Sequence, residues 1–184
     1  GLSEKAAGGG AVVVAQSEKP TGAEEAARKA LEGVFPSLSQ VHLEDYKVRV
    51  LSSGDGTAHL VQLGRDYDCP NLKALLTDPK VVKIFHYGRY DIAMMLRWMG
   101  ITCAPVWCTK IASKLMRTYT DRHGLKDLLR EMLGVEISKQ QQSSDWAAET
   151  LSEAQLAYAA SDVLYLHALR EKLQERLVRE DRTA

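Results

Sequence analysis

The sequence predicts an α/β domain with a mixed, mostly central β-sheet flanked by α-helices. Short β-branched runs bounded by glycine and proline occupy its first half, and segments with apolar residues at helical spacing occupy its second half. With 184 residues, 45% hydrophobic and 26% charged, the chain is long enough for one domain with a sizeable core. We expect a flexible Gly/Ala-rich lead-in over residues 1–10 and a single domain over 11–180.

The first half of the chain predicts three strands and one helix. The β-branched run 11–15 predicts a buried strand, and the Ala/Glu-rich stretch 21–33 predicts a helix that ends at a glycine C-cap. Residues 47–51 and 58–63 predict two further strands. The Gly-Asp-Gly sequence within 52–56 indicates that these two strands form a hairpin.

The second half predicts mostly helices, each with apolar residues at helical spacing. The last helix begins at Ser152, where Ser-Glu-Ala-Gln has the spacing of a capping box. The predicted elements, in order, are helix 71–76, strand 81–85, helix 89–99, helix 109–117, helix 124–133 and a final helix from 152 to about 179.

Composition and charge exclude several classes of protein. Lysine plus arginine (24) equals aspartate plus glutamate (24), which argues against a strongly basic nucleic-acid clamp. The longest apolar run, at 11–15, is far shorter than the roughly 20 residues of a membrane span. Three cysteines (Cys69, Cys103 and Cys108) indicate reduced thiols and a reducing compartment. The chain begins at Gly1 without a methionine, which predicts a removed leader, an organelle-targeting one included, or a piece of a longer product.

Three residues could carry chemistry. Tyr158 and Asp162 are four apart on the final predicted helix, so they project from one helical face. A phenol beside a carboxylate can orient a water molecule next to a metal ion; a solvated aspartate above a half-buried tyrosine is the alternative. Asp91 lies where a predicted strand feeds a helix, and α/β sheets gather their ligands at strand ends.

The sequence around these residues resembles the ribonuclease D branch of the DEDD 3′-5′ exonucleases. The resemblance is carried by the segments 85–91 (Phe-His-Tyr-Gly-Arg-Tyr-Asp) and 108–115 (Cys-Thr-Lys-Ile-Ala-Ser-Lys-Leu) and by Tyr158-x-x-x-Asp162. Residues 118–127 and 138–151 are similar, more specifically, to the nano-RNase C group, which degrades diribonucleotides. The resemblance spans roughly residues 51–173 and implies an RNase H-like fold.

The resemblance also implies roles for particular residues. It makes Asp91 and Asp162 ligands of Mg²⁺ or Mn²⁺, and it makes Tyr158 a residue that positions the attacking water. For the basic residues of the segment 117–126, a solvated charged helix end is the alternative to phosphate contact. The residues implied in substrate binding are Lys139, Gln140, Gln141, Gln142, Ser143 and His123.

The family's first motif, Asp-x-Glu at the end of the first strand, is absent from this sequence. Aligning the first strand puts Ala15 at the aspartate position and Ser17 at the glutamate position. Glu18 is one residue further, and a one-residue slip on a strand turns the side chain to the opposite face. Glu44 and Asp45 are adjacent rather than two apart, so they too point in opposite directions.

This loss predicts impaired metal binding. Two divalent ions about 4 Å apart repel by roughly 16 kcal/mol at an effective dielectric of about 20, and two aspartates neutralise only half of their charge. The sequence therefore favours a chain that holds no metal, has lost nuclease activity and serves as a scaffold or subunit of a larger protein assembly. The alternatives are an active exoribonuclease that uses Mg²⁺ or Mn²⁺ on short RNA, and an RNA-binding domain that does not cleave.

Overall fold

The computed structural model describes residues 3–7, 10–16, 48–64, 66–138, 144–146, 148 and 150–182, and for 3–7, 10–16 and 48 it describes the backbone alone. A four-stranded sheet has the order β1-β2-β4-β3, in which β2 and β4 are parallel and the other neighbours are antiparallel. The predicted mixed sheet is therefore confirmed. Its strands are β1 (Ser3–Ala7), β2 (Gly10–Gln16), β3 (Val48–Leu51) and β4 (Thr57–Gln62).

The first strand, β1, lies within the segment 1–10, for which composition predicts a flexible lead-in. Residues Ser3–Ala7 pair with β2 along their whole length, from Ser3 opposite Val14 to Ala7 opposite Gly10. The sequence analysis did not predict a strand here. The hydrogen bonds of a ladder can order even small residues beside a β-branched strand, and the flexible lead-in over residues 1–10 stays a prediction. The helix predicted over residues 21–33 lies outside the described residues, and the single domain over 11–180 stays a prediction.

The hairpin that joins β3 to β4 matches the prediction. Gly54 and Gly56 both have φ near +86°, a backbone conformation that glycine adopts without steric cost. The backbone N–H of Thr57 donates to Oδ1 of Asp55 at 2.8 Å, which closes the turn.

A second sheet consists of two parallel strands. It pairs β5 (Lys83–Phe85) with β6 (Val106–Cys108), a short strand that the sequence analysis missed. Helix α1 (Pro70–Thr77) precedes it with a proline in its first turn, and α2 (Arg89–Met94) follows β5. A π-helical segment, Met95–Met99, continues α2 up to Gly100.

The final helix is two helices rather than one. Helix α5 (Glu153–Leu164) ends at Tyr165, and α6 (Leu166–Arg179) begins there. The two halves pack against different clusters: α5 buries Leu156 and Ala160 against Leu60 of β4, and α6 buries Leu173 among helices. One straight helix would not serve both clusters, so the prediction of an unbroken helix is wrong at this point.

Two further helices, α3 (Thr109–Met116) and α4 (Leu125–Leu133), lie between β6 and α5 in the sequence. Their apolar faces pack with α6 in one buried cluster that includes Ala112, Leu128 and Leu169. Within the described ranges, no helix is both long enough and apolar enough to cross a membrane.

Candidate active site

Asp91 lies at the end of the two-stranded sheet. Strand β5 ends at Phe85, residues 86–88 form a turn, and Asp91 is exposed in the first turn of α2. A carboxylate is favoured at this end of a helix because the first backbone N–H groups carry partial positive charge. The structure therefore places Asp91 at the strand end that its sequence position predicts.

The turn before Asp91 is bonded to the start of α3. His86 Nδ1 and Thr109 Oγ1 lie 2.9 Å apart in a hydrogen bond, and Thr109 Oγ1 also donates to the Phe85 carbonyl at 3.2 Å. The backbone N–H of Tyr87 lies 3.3 Å from Cys108 Sγ. These three links hold the turn against the β6–α3 junction, so the start of α2 has a defined position.

Tyr158 and Asp162 share one face of α5, as their spacing predicts. The capping box is confirmed: the Ser152 hydroxyl accepts from the Gln155 N–H at 3.3 Å, and the Gln155 side chain accepts from the Ser152 N–H at 2.9 Å. Burial raises the pKa of the Tyr158 phenol, and the charge of Asp162 and a hydrogen bond to it raise that pKa further. At neutral pH Tyr158 is therefore a protonated hydrogen-bond donor beside a carboxylate.

Trp146 packs beside Tyr158, a contact that the spacing of motif residues did not predict. The two ring centroids are 5.9 Å apart with an interplanar angle of 45°. Gln155 Nε2 donates to the Asp145 carbonyl at 2.7 Å, and Gln62 Nε2 donates to the Ala148 carbonyl at 3.3 Å. These bonds fix the segment that precedes α5 to α5 itself and to the end of β4.

The predicted substrate loop is the segment 139–143. The five residues Lys139, Gln140, Gln141, Gln142 and Ser143 lie outside the described residues. Their role in substrate binding stays a prediction.

His123 is buried, with 9% of its surface exposed, and its Nδ1 lies 2.8 Å from Ser113 Oγ in a hydrogen bond. Arg117 is 1% exposed and donates to Ser113 Oγ, to the Arg122 carbonyl and to both carboxylate oxygens of Glu131. The alternative of a solvated charged helix end therefore does not describe His123 and Arg117, and the role of His123 in substrate binding stays a prediction. In this structure the His123 ring is turned to Ser113 rather than to solvent.

Arg49 is a charged residue near the site that the sequence analysis overlooked. It lies on β3 with 9% of its surface exposed. Burial lowers the pKa of its guanidinium, and attraction to Asp91 is the largest effect that opposes this shift. The sequence Val48-Arg49-Val50 could have indicated this residue, because it puts one cation into a strand of otherwise apolar residues, where a buried charge needs a partner.

The backbone of the first motif is only partly described. Ala15 pairs with Val61 and Gln16 with Gln62 in the parallel ladder between β2 and β4. Ser17, Glu18, Glu44 and Asp45 lie outside the described residues. Among the residues described, no group of three or more His, Cys, Asp or Glu side chains is placed to hold a metal ion.

The donor type nevertheless fits a hard divalent cation. Asp91 and Asp162 both offer carboxylate oxygens, and Mg²⁺ is commonly bound by one or two carboxylates together with waters and substrate phosphate oxygens. Two carboxylates suffice for one ion of this kind, whereas a pair of ions requires more negative charge.

The sheet, the strand-end aspartate and the tyrosine–aspartate pair on α5 define a nuclease-like α/β domain. A model of a 3′-5′ exonuclease family matches residues 43–178, and the chain belongs to this family. The predicted α/β, RNase H-like exonuclease fold is thereby confirmed. The first 42 residues, which include Ala15 and Ser17, precede the matched region.

Among the proteins that this chain is similar to are ribonuclease D and NrnC. Ribonuclease D from Gluconacetobacter diazotrophicus is 38% identical over 132 residues, which are 72% of this chain and 33% of that protein. NrnC from Brucella melitensis is 60% identical with a TM-score of 0.69, covering 72% of this chain and 65% of that chain. The chain therefore spans about a third of the ribonuclease D and about two thirds of the Brucella protein.

The Brucella protein has also been solved with ligands. Its complex with pGG is 54% identical with a TM-score of 0.71, covering 78% of this chain and 72% of that chain. Its structure with bound Mg²⁺ is 51% identical with a TM-score of 0.68, covering 74% of this chain and 73% of that chain. The chain is thus a ribonuclease D-like exonuclease domain of the nano-RNase C group, as the sequence resemblance predicts.

The comparisons favour the alternative function over the preferred one. They support an exonuclease and give no support to lost activity, to a scaffold in a larger assembly, or to a chain that holds no metal. The charge deficit predicted from Ala15 and Ser17 concerns a pair of ions, and the chain retains Asp91, Tyr158 and Asp162 downstream.

Proposed function

We propose that this chain is a metal-dependent 3′-5′ exoribonuclease domain that acts on short RNA, diribonucleotides among them. It releases a nucleoside 5′-monophosphate by hydrolysis of a phosphodiester. The observation that carries the proposal is the pairing of Tyr158 with Asp162 on α5, in a chain that keeps Asp91 at the strand end. The similarity to Brucella NrnC, solved with pGG and with Mg²⁺, supports it.

The residues of the site have separate tasks in this proposal. Asp91 and Asp162 would hold Mg²⁺ or Mn²⁺, which when bound supplies charge neutralisation and a more acidic water. Tyr158 keeps its proton at neutral pH because burial and Asp162 raise its pKa, and because its O–H bonds to Asp162, its phenol oxygen can accept a hydrogen bond from the attacking water. Asp162 orients that phenol, and Trp146 limits the movement of its ring.

The test is hydrolysis of pGG by the purified chain with Mn²⁺, followed by separation of the products. We expect GMP as product and a loss of at least about a thousandfold in rate for Asp162→Asn, because one carboxylate and the partner of Tyr158 are removed together. Asp127→Asn is the matched control, since Asp127 is also helical but pairs with Arg130 on the surface of α4. Equal rates in the two variants would contradict the assignment of Asp162.

Binding of short RNA without hydrolysis is a second candidate. Ala15, at the position where the family motif has its aspartate, is the observation that favours it, and β2 does continue through Ala15 to Gln16. If the wild type binds pGG without making GMP, this candidate is correct. The double variant Ala15→Asp, Ser17→Glu should then gain Mn²⁺-dependent turnover, because it restores the two carboxylates of the motif.

A further inference from the structure

An exposed aromatic ring lies at the strand end that leads to Asp91. Tyr87 has 55% of its surface exposed. The Nζ of Lys110 lies 4.0 Å from the centroid of this ring, within the range of a cation–π interaction. The ammonium lies over one face of the ring, and among the described residues more than half of the surface of Tyr87 is exposed, so the residue offers surface to a flat partner.

The backbone of Tyr87 has an unusual conformation that hydrogen bonds hold in place. Tyr87 has φ of +62°, a region that bulky residues rarely adopt and in which glycine or asparagine is more favourable. The N–H bond to Cys108 Sγ at 3.3 Å and the neighbouring bond between His86 and Thr109 hold this conformation. A large aromatic kept in a strained turn, with its ring in solvent, indicates that the ring has a use outside the core.

Tyr87 of this turn and Lys110 of α3 combine the contacts that single-stranded nucleic acid needs. Bases stack on exposed aromatic rings, and such stacking tolerates any base because every base has a π-face. Lysine ammonium groups bind phosphate oxygens as point charges. The chain has equal numbers of acidic and basic residues, so a local cation beside the site matters more for binding than the overall charge.

We infer that Tyr87 and Lys110 form a nucleotide subsite next to the candidate active site. A base of the short RNA stacks on the open face of the Tyr87 ring, and the Lys110 ammonium binds a phosphate of the same molecule. This inference rests on the proposed function for the identity of the ligand as short RNA. It gives the turn between β5 and α2 a role in holding the substrate, separate from the role of Asp91 in the chemistry.

The test is the affinity of the whole chain for pGG, measured by calorimetry in EDTA so that no hydrolysis occurs. Tyr87→Leu keeps a large apolar side chain but removes the π-face, and we expect about 5- to 100-fold weaker binding. Tyr87→Phe keeps the face and should change the dissociation constant by less than about twofold. Tyr87→Trp should bind more tightly, an increase that misfolding could not produce.

The contribution of Lys110 is tested through salt. Lys110→Met should weaken pGG binding and lower the slope of log K against log salt concentration by about 0.7, the value for one phosphate contact on a single strand. Lys114→Met is the matched control, because Lys114 is exposed one turn further along α3. It should leave the slope unchanged.

The outcomes separate this inference from the proposed function. Wild-type affinity in Tyr87→Leu, equal losses in Tyr87→Leu and Tyr87→Phe, or no measurable binding of pGG by the wild type would overturn the subsite, whatever the hydrolysis assay shows. Binding that depends on Tyr87 in a chain that makes no GMP would support the subsite and contradict the proposed hydrolysis. Turnover with no dependence of binding on Tyr87 would do the reverse.

Discussion

The buried guanidinium of Arg49 on β3 and the exposed carboxylate of Asp91 at the start of α2 attract each other. This attraction opposes the fall in pKa that burial causes for Arg49. A fixed positive charge near Asp91 has two effects on a metal-dependent site: it neutralises part of the carboxylate's charge, and it repels an incoming cation. Arg49 therefore competes with a divalent ion for the same ligand.

Replacing Arg49 should strengthen metal binding. Arg49→Met removes the charge and keeps much of the side-chain volume, so we expect Mn²⁺ affinity to rise by about three- to tenfold, or roughly 1 kcal/mol at the effective dielectric of a protein site. Calorimetric titration with Mn²⁺ measures it. Arg179→Met is the control, because that side chain is 72% exposed on the last helix and should leave the affinity unchanged. Weaker binding in Arg49→Met would show that Arg49 organises the site instead.

Tyr158 should titrate at an unusually high pH. Burial is the first cause of its raised pKa, and the charge and hydrogen bond of Asp162 add to it. Ultraviolet difference titration of the wild type against Tyr158→Phe isolates this phenol. Asp162→Asn should lower the pKa only in part, because burial remains. A titration at the ordinary tyrosine value in the wild type would contradict the contact.

The same phenol should matter for turnover. We expect Tyr158→Phe to reduce kcat by about 10- to 100-fold with little change in KM, because the lost hydroxyl positions the reacting water rather than binding the substrate. Activity with pGG and Mn²⁺ measures both constants. A rise in KM at constant kcat would assign Tyr158 to substrate binding.

Sequence reasoning predicted the positions of those candidate site residues that depend on local features. A strand end and an i, i+4 pair are local features, and Asp91, Tyr158 and Asp162 lie where those features put them. Arg49 could not be linked to Asp91 in this way, because the two positions are 42 apart in the sequence and only tertiary packing brings β3 into range.

For the fold, too, the elements that depend on neighbouring residues were predicted, and those that depend on tertiary contacts were not. Hairpin turns and caps follow from a few neighbouring residues, so the β3–β4 hairpin and the start of α5 are confirmed. Other features depend on tertiary contacts: the pairing of strands for β1 and β6, and the clusters against which the helices pack for the break at Tyr165. Local sequence patterns do not contain this information.

The ion pair between Arg117 and Glu131 should make stability depend on acidic pH. Hydrogen bonds from Arg117 and Tyr119 hold the pKa of the Glu131 carboxyl below its ordinary value. A carboxyl with a lowered folded-state pKa stabilises the protein above its ordinary pKa, and the stabilisation is lost as pH falls through the folded value. We expect Glu131→Gln to lower the free energy of unfolding by about 1–2 kcal/mol at pH 7, a discounted value because Glu131 is partly exposed.

Denaturant unfolding at several pH values tests this dependence. The difference between wild type and Glu131→Gln should shrink as the pH falls below about 4.5 and vanish when Glu131 is protonated in both states. Glu175→Gln is the matched control. Its partner Lys172 is 3.6 Å away and both side chains are more than half exposed, so its effect should be under about 0.5 kcal/mol. A difference that persists at acidic pH would assign the loss to packing.

The turn before Asp91 gives a steric prediction with an internal control. Gly88 and Gly124 are both N-cap residues with φ near −70°, of α2 and α4, so alanine meets no backbone strain at either position. A Cβ at Gly88 would lie 2.5 Å from the ring of Phe85, whereas a Cβ at Gly124 would meet nothing nearer than Asp127 Oδ2 at 3.6 Å. An alanine at position 88 would therefore destabilise the fold through a steric clash with the Phe85 ring on β5.

We expect Gly88→Ala to lower the free energy of unfolding by about 1–3 kcal/mol more than Gly124→Ala, because the Phe85 ring must move to admit the methyl group. The same movement displaces the turn that positions Asp91, so Mn²⁺-dependent turnover should fall in Gly88→Ala and stay near wild type in Gly124→Ala. Thermal or denaturant unfolding and the pGG assay measure the two effects separately. Equal stability losses in the two variants would mean that the β5–α2 turn yields easily, and that the contact between Gly88 and Phe85 does not set the position of Asp91.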